Sequence, residues 1–177
     1  AGDLGSAFAL LIQEAEGSVQ SMVIGRDMRS SSSPLAGAFS SGARSQGMDV
    51  VDIGLASTDL VYFASGHLGI PAAVVTASHN PAGYNGFKLC LSGAKPVGWD
   101  TGLARIAELV EHGLPEGSGG GSAKSLQLLD EFVAHVRTFV DPERLRRLKV
   151  VADTANGMAG MILPAVCESL PFELEIL

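Results

Sequence analysis

Thr76-Ala77-Ser78-His79-Asn80-Pro81-Ala82-Gly83-Tyr84-Asn85-Gly86-Phe87-Lys88 is the stretch from which the rest of this chain is read. It follows Ala72-Ala73-Val74-Val75, an apolar, partly β-branched run that reads as a buried strand. Ser78 and His79 therefore stand where a strand leaves its sheet, the position at which open α/β sheets place their chemistry. Asn80-Pro81 and Asn85-Gly86 are turn pairs. They predict a tight loop that returns into a second strand, Phe87-Lys88-Leu89-Cys90-Leu91. One short loop thus presents a hydroxyl, an imidazole, two amides and an ammonium.

Working outward, apolar residues at helical spacing (Leu4, Phe8, Leu11, Ile12, Ala15) predict a helix that ends at Gly17. Ser21 to Gly25 reads as a short buried strand, Arg26 to Ser33 as a polar loop, and Pro34 to Arg44 as a helix with proline in its first turn. A strand at Met48 to Ile53, a helix from Thr58 to about Gly66 and a helix from Thr101 to Glu111 follow. The alternation predicts an α/β fold, a mixed sheet flanked by helices. Gly117-Ser118-Gly119-Gly120-Gly121-Ser122 has the composition of a flexible linker. It lacks the ending of a nucleotide-cradling loop, since it runs into Ser122-Ala123-Lys124-Ser125. Leu126 to Val140 reads as an amphipathic helix broken by Asp141-Pro142, and a new strand–loop–helix–strand unit begins at Leu148. The expected organisation is a first α/β domain over 1–140, a connector over 141–147, and the beginning of a second α/β domain over 148–177. Phe172 to Leu177 stops in an alternating, strand-like pattern, so the chain is expected to be part of a longer protein.

The 177 residues are 46% hydrophobic and 18% charged, enough for a sizeable core. The formal net charge of −7, with no basic cluster, argues against a nucleic-acid partner. Cys90 and Cys167 lie in apolar runs without metal-ligand spacing and read as reduced core residues. No signal peptide and no apolar run of membrane-spanning length is visible, so neither a membrane partner nor an extracellular destination is expected, and the expected location is cytoplasmic. His67, His112 and His135 lie on or near predicted helices without carboxylate or cysteine partners at metal spacing and read as ordinary surface or interface residues.

The serine loop resembles that of the phosphohexomutases, the phosphomannomutase/phosphoglucomutase superfamily. The resemblance rests on Thr76-Ala77-Ser78-His79-Asn80-Pro81 and on Tyr84-Asn85-Gly86-Phe87-Lys88. It extends in order through Gly25-Arg26-Asp27-Met28-Arg29-Ser30-Ser31-Ser32-Ser33-Pro34, Asp52-Ile53-Gly54-Leu55 with Thr58, Gly93-Ala94-Lys95-Pro96-Val97 and Val150-Val151-Ala152-Asp153-Thr154-Ala155-Asn156-Gly157. It implies that Ser78 carries a phosphoryl group and passes it to a hexose phosphate through a 1,6-bisphosphate, which also serves as activator. It implies one Mg²⁺, met here by Ser78 through its phosphate, with the remaining ligands in an Asp-Gly-Asp-Gly-Asp loop that this chain lacks. The chain alone is therefore expected to be inactive. Where the family often has Pro-Thr-Pro, this chain reads Ala56-Ser57-Thr58-Asp59.

Phosphoryl transfer is mostly positioning and electrostatics. Ser78 needs a divalent cation, backbone N–H groups and cationic side chains around its phosphate. As a plain residue Ser78 is also a common turn former. His79 either bonds the phosphate or loop, or is satisfied by backbone groups. Lys88, alone among apolar strand neighbours, is either solvated or aimed at the site, and the resemblance implies proton transfer or phosphate contact. Arg26 and Arg29 flank Asp27 and either bind phosphate or pair with Asp27 to stiffen the loop; Asn80 joins them as a phosphate-binding candidate. A phosphoglucosamine mutase and a non-catalytic sugar-phosphate module are the alternatives. A serine hydrolase would need Gly-x-Ser-x-Gly, and His79, adjacent in sequence, reads as poorly placed to deprotonate Ser78.

Overall fold

The computed structural model describes all 177 residues, Ala1–Leu177. By contacts the chain forms two compact units, Ala1–Leu126 and Gln127–Leu177. The first contains α1 (Gly2–Glu16), β1 (Ser21–Arg26), α2 (Ser32–Ser45), β2 (Asp49–Leu55), α3 (Thr58–Leu68), β3 (Ala72–Val75), β4 (Phe87–Leu91), β5 (Lys95–Pro96), α4 (Leu103–His112) and β6 (Ala123–Ser125). Its six-stranded sheet has the order β5-β4-β3-β1-β2-β6. β1 runs parallel to both β2 and β3, and β2 runs parallel to β6. β4 is antiparallel to β3 and to β5, so the sheet is mixed.

β1 lies between the two strands that follow it in the chain. The connection through α2 therefore steps to one side, and the connection through α3 steps back across β1 to the other. Right-handed crossovers in opposite directions put their helices on opposite faces of the sheet. Met22, Ile24, Val50, Ala73, Val75 and Leu89 accordingly join Phe8, Ile12 and Phe39 of α1 and α2 in one core cluster. Side chains alternate along a strand, so Val23, Val51 and Val74 face the α3 side, and all three are buried. Burial on both faces explains the unbroken apolar character of β3, whose four residues are all buried. Helix α1 crosses α2 at very close range: a Cβ on Gly42 would stand 1.9 Å from the Gly2 carbonyl oxygen, and Ser6 Oγ donates to the Gly42 carbonyl at 2.9 Å.

The glycine-rich run that reads as a linker is instead a packed strap over the C-terminal end of α2. Gly119 N donates to the Ser45 carbonyl at 2.9 Å, and Arg44 Nε donates to the Gly121 carbonyl at 2.9 Å. The Ser45 carbonyl, and the Arg44 carbonyl that accepts from Gly121 N at 3.3 Å, are among those a helix end leaves open. A Cβ at Gly117 would fall 1.9 Å from Ser45 O, and one at Gly121 would fall 2.3 Å from Met48 O. Gly117 and Gly121 thus permit close approach, where composition alone suggests freedom. The strap leads into β6, an edge strand held to β2.

The second unit holds α5 (Leu129–Arg137), β7 (Leu148–Ala152), α6 (Ala159–Cys167) and β8 (Phe172–Ile176). Helix α5 is shorter at both ends than the expected Leu126 to Val140. The contact division falls ahead of the expected connector 141–147, because α5 packs with α6: the Arg137 guanidinium donates to the carbonyls of Ala165 and Val166. β7 and β8 are parallel, with Leu148 opposite Phe172 and Ala152 opposite Ile176. No helix of the chain is long and apolar enough to cross a membrane.

Candidate active site

The C-terminal ends of β1 and β3 are neighbours, and the chain leaves them in different directions, to α2 and to β4. This is a switch point of the sheet, and it forms the crevice in which α/β proteins bind ligands. The β1 end delivers Arg26, Asp27 and Arg29; the β3 end delivers Thr76, Ser78, His79 and Asn80.

Ser78 turns through φ 52°, a left-handed conformation at a non-glycine residue. Such strain, roughly 1–2 kcal/mol, persists only where neighbours impose it. The neighbours are identifiable. Ser78 N donates to Thr76 Oγ1 at 3.0 Å, and Thr76 Oγ1 donates to Asp27 Oδ2 at 2.8 Å. Asp27 also accepts from Ser32 Oγ, from Arg29 N and from Arg29 Nε. Burial pushes the Asp27 carboxyl up, but the bonds from Ser32, Thr76 and Arg29 outweigh it and hold the group below its ordinary value.

Arg29 reaches across to the serine loop. Its Nη2 donates to the carbonyls of Ser78 and Asn80, both at 2.8 Å. Its Nη1 donates to the carbonyls of Pro81 at 2.9 Å and Tyr84 at 3.2 Å. With Nε on Asp27, all five guanidinium N–H groups are used. Of the two readings of Arg29, phosphate ligand or partner of Asp27, this arrangement realises the pairing with Asp27 and leaves no donor for a phosphate. A second tether runs beside it: Asn85 Nδ2 lies 2.9 Å from both Ser31 Oγ and Ser32 Oγ.

The other candidates fall as follows. His79 Nδ1 lies 3.1 Å from Ser78 Oγ. Adjacency in sequence does not keep the two side chains apart, because the backbone turns sharply at Ser78. The second His79 nitrogen has no partner in the chain. Arg26 Nη1 pairs with Asp52 at 3.1 Å, leaving Nε and Nη2 without a partner in the chain. The Asn80 side chain is exposed and makes no hydrogen bond in the chain. Lys88 stands opposite Val74 of the strand that leads to Ser78, exposed, on the sheet face away from Phe87, Leu89 and Leu91. Thr76, Asn85 and Ser32 escaped the sequence reading as partners; Thr76 and Asn85 lay within the quoted motif, but their contacts are to residues far away in the chain. No three His, Cys, Asp or Glu side chains converge to hold a metal ion. Cys90 is buried, which pushes its thiol up and keeps it protonated.

The profile of phosphoglucomutase/phosphomannomutase, alpha/beta/alpha domain I, matches residues 1–114. The chain belongs to the phosphoglucomutase/phosphomannomutase family. A phosphomannomutase of Salmonella montevideo is 38% identical over 151 residues, which are 83% of this chain and 33% of that protein. A Xanthomonas campestris protein of the phosphohexose mutases is 40% identical over 168 residues, covering 93% of this chain and 37% of its own length. The crystal structure of a phosphoglucomutase/phosphomannomutase family protein from Burkholderia thailandensis superposes with a TM-score of 0.86 at 32% identity, over 99% of this chain and 39% of that one. The chain thus spans about a third of the length of these relatives.

Proposed function

We propose that this chain carries the phosphoryl-bearing serine of a phosphohexomutase acting on mannose and glucose phosphates. The observation that carries the reading is Ser78 itself: an exposed hydroxyl on a strained loop, at the sheet's switch point, in a family of phosphohexose mutases. In the forward step the bond from phosphorus to Ser78 Oγ breaks and one to the free hydroxyl oxygen of a hexose monophosphate forms. That hydroxyl loses its proton to a base, and Ser78 Oγ gains one. The 1,6-bisphosphate then reorients and returns its other phosphate to Ser78. His79 is within reach of Oγ to exchange that proton, and Lys88 serves the reacting centre by proton transfer or phosphate contact. Arg26 and Asn80 keep free donors for substrate phosphate. Mg²⁺, meeting the phosphate of Ser78, belongs to the same reading. The donor set for it is not formed by these residues.

The contact between Ser78 and His79 favours one second reading, a hydrolase dyad. It lacks a carboxylate on the other imidazole nitrogen, which would orient the base. One experiment separates the two. Full-length protein treated with a hexose 1,6-bisphosphate should carry phosphate on Ser78 and interconvert the 1- and 6-phosphates of mannose and glucose. Ser78→Ala should lose nearly all turnover, and residues 1–177 assayed alone should show none. Substantial turnover in Ser78→Ala overturns the reading, whereas labelling of Ser78 by a fluorophosphonate without phosphate uptake supports the dyad. Glucosamine phosphate assayed alongside tests the phosphoglucosamine alternative.

A further inference from the structure

The geometry points to Arg29 as a positioning residue: its guanidinium, anchored on Asp27, clamps four carbonyls of the serine loop and so sets the direction of Ser78 Oγ. This rests on the reading of Ser78 as the phosphoryl carrier. A guanidinium offers five N–H groups in a rigid planar fork. Here one is spent on the anchoring carboxylate and four on Ser78, Asn80, Pro81 and Tyr84. The Arg29 side chain is only 15% exposed, and Asp27 only 14%. A phosphate ligand would keep at least two donors open toward the crevice, whereas this fork converges on backbone.

The clamp also explains how a serine holds φ 52° without glycine. The Ser78 carbonyl is held by Arg29 Nη2, and the Ser78 N–H is held by Thr76 Oγ1, itself bonded to Asp27. Both sides of the strained residue therefore trace back to one acidic anchor just past the end of the neighbouring strand. Lysine could not substitute for the fork, because an ammonium has three donors radiating from a single atom.

The test uses full-length Arg29→Ala and Arg29→Lys, with Arg105→Ala as a control. Arg105 pairs with Glu14 and Glu108 at the surface, away from the crevice. Three readouts are taken: the rate of phosphate loading on Ser78 from a hexose 1,6-bisphosphate, the separate kcat and KM of mutase turnover, and amide hydrogen exchange. Arg29→Ala should slow loading and kcat by roughly 10²-fold, the scale of an ångström's misplacement, with KM unchanged. Exchange should quicken at the loop-internal amides of Ser78, Asn80 and Tyr84 and stay slow at Val23 and Ile24 of β1. Arg29→Lys should recover only part of the loss, and Arg105→Ala should match wild type throughout. A raised KM with unchanged kcat would make Arg29 a substrate ligand and overturn the clamp, as would loop amides that exchange at the wild-type rate. If Arg29→Ala fails to fold, Arg29→Lys carries the same readouts. If wild-type Ser78 takes up no phosphate, the functional reading fails, and the exchange data alone decide the clamp.

Discussion

Two loops leave parallel strands in this chain and turn through a left-handed, non-glycine residue: Ser78 after β3, at φ 52°, and Ala155 after β7, at φ 44°. Their sequences, Thr76-Ala77-Ser78-His79-Asn80 and Asp153-Thr154-Ala155-Asn156-Gly157, are both small and polar. Their supports differ. The second loop is held by near neighbours and the strand end: Ala155 N donates to Asp153 Oδ1 at 3.0 Å, Gly157 N to the Thr154 carbonyl at 2.9 Å, and Thr154 N to the Leu177 carbonyl at 3.4 Å. The serine loop is held by Arg29, Asp27, Ser31 and Ser32, from the end of β1 and the start of α2 beside it. The difference shows that a strand-to-loop design becomes a site when an adjacent strand end supplies side chains that fix it. A loop secured by one carboxylate of its own and by backbone carbonyls holds its conformation without remote side chains around it.

The largest effect should come from Lys88, the cation on the return strand of the serine loop, which the β7 loop has no counterpart for. Lys88→Ala in the full-length protein should lower kcat by roughly 10²–10⁴-fold, the range for a general acid–base group. Steady-state kinetics with mannose 1-phosphate measures it. Unchanged kcat and KM would place Lys88 on the solvent face and weaken the contrast between the loops.

Asp27 comes next. Asp27→Asn removes the anion to which Thr76, Ser32 and Arg29 all donate, and should cost about 1.5–3 kcal/mol of stability at neutral pH, the scale for hydrogen bonds to a charged group. The folded-state pKa of Asp27 lies below its ordinary value of 3.8. Its contribution is therefore complete above about that pH and is lost as the pH falls through the lower, folded-state value. Urea denaturation of the 177-residue chain followed by circular dichroism should show wild type losing stability below about pH 4 more steeply than Asp27→Asn. Parallel pH curves for the two would mean that the anchor is not electrostatic.

What was legible in the sequence, and what was not, follows the same division between near and far. The serine loop could be read because turn pairs, a β-branched strand and a long motif are local signals. The helices and strands flanking it were legible for the same reason. The role of Arg29 stayed open between phosphate and Asp27, because its partners lie 49 to 55 positions away and no spacing rule encodes them. The run Gly117 to Ser122 reads as a linker by composition, because glycine serves both freedom and close approach, and only the Ser45 and Met48 carbonyls beneath it distinguish the two. The contact of His79 with Ser78 Oγ depended on the sign of one φ angle, which a serine in a motif does not announce.

The smallest effect tests the second loop. Ala155→Gly should stabilise its surroundings, because alanine pays for φ 44° roughly 1–2 kcal/mol that glycine does not. Glycine also gains more freedom in the unfolded chain, which returns about 0.4–1 kcal/mol of that. The net gain should be about 0.8 kcal/mol, the difference between the middles of those two ranges. Because the loop's bonds are local, the gain should appear only nearby, as slower hydrogen exchange at Thr154 and at Leu177, whose N–H groups bond to Leu177 and Ala152. The amides of β1 and β3 should not respond. Ser78→Gly relieves the same kind of strain but deletes the hydroxyl, so Ala155→Gly is the substitution that isolates the backbone term. Faster exchange in Ala155→Gly would mean that the alanine methyl group, and not the Asp153 carboxylate, holds that turn. The two loops would then be supported by side chains alike, and the contrast between them would be one of reach alone.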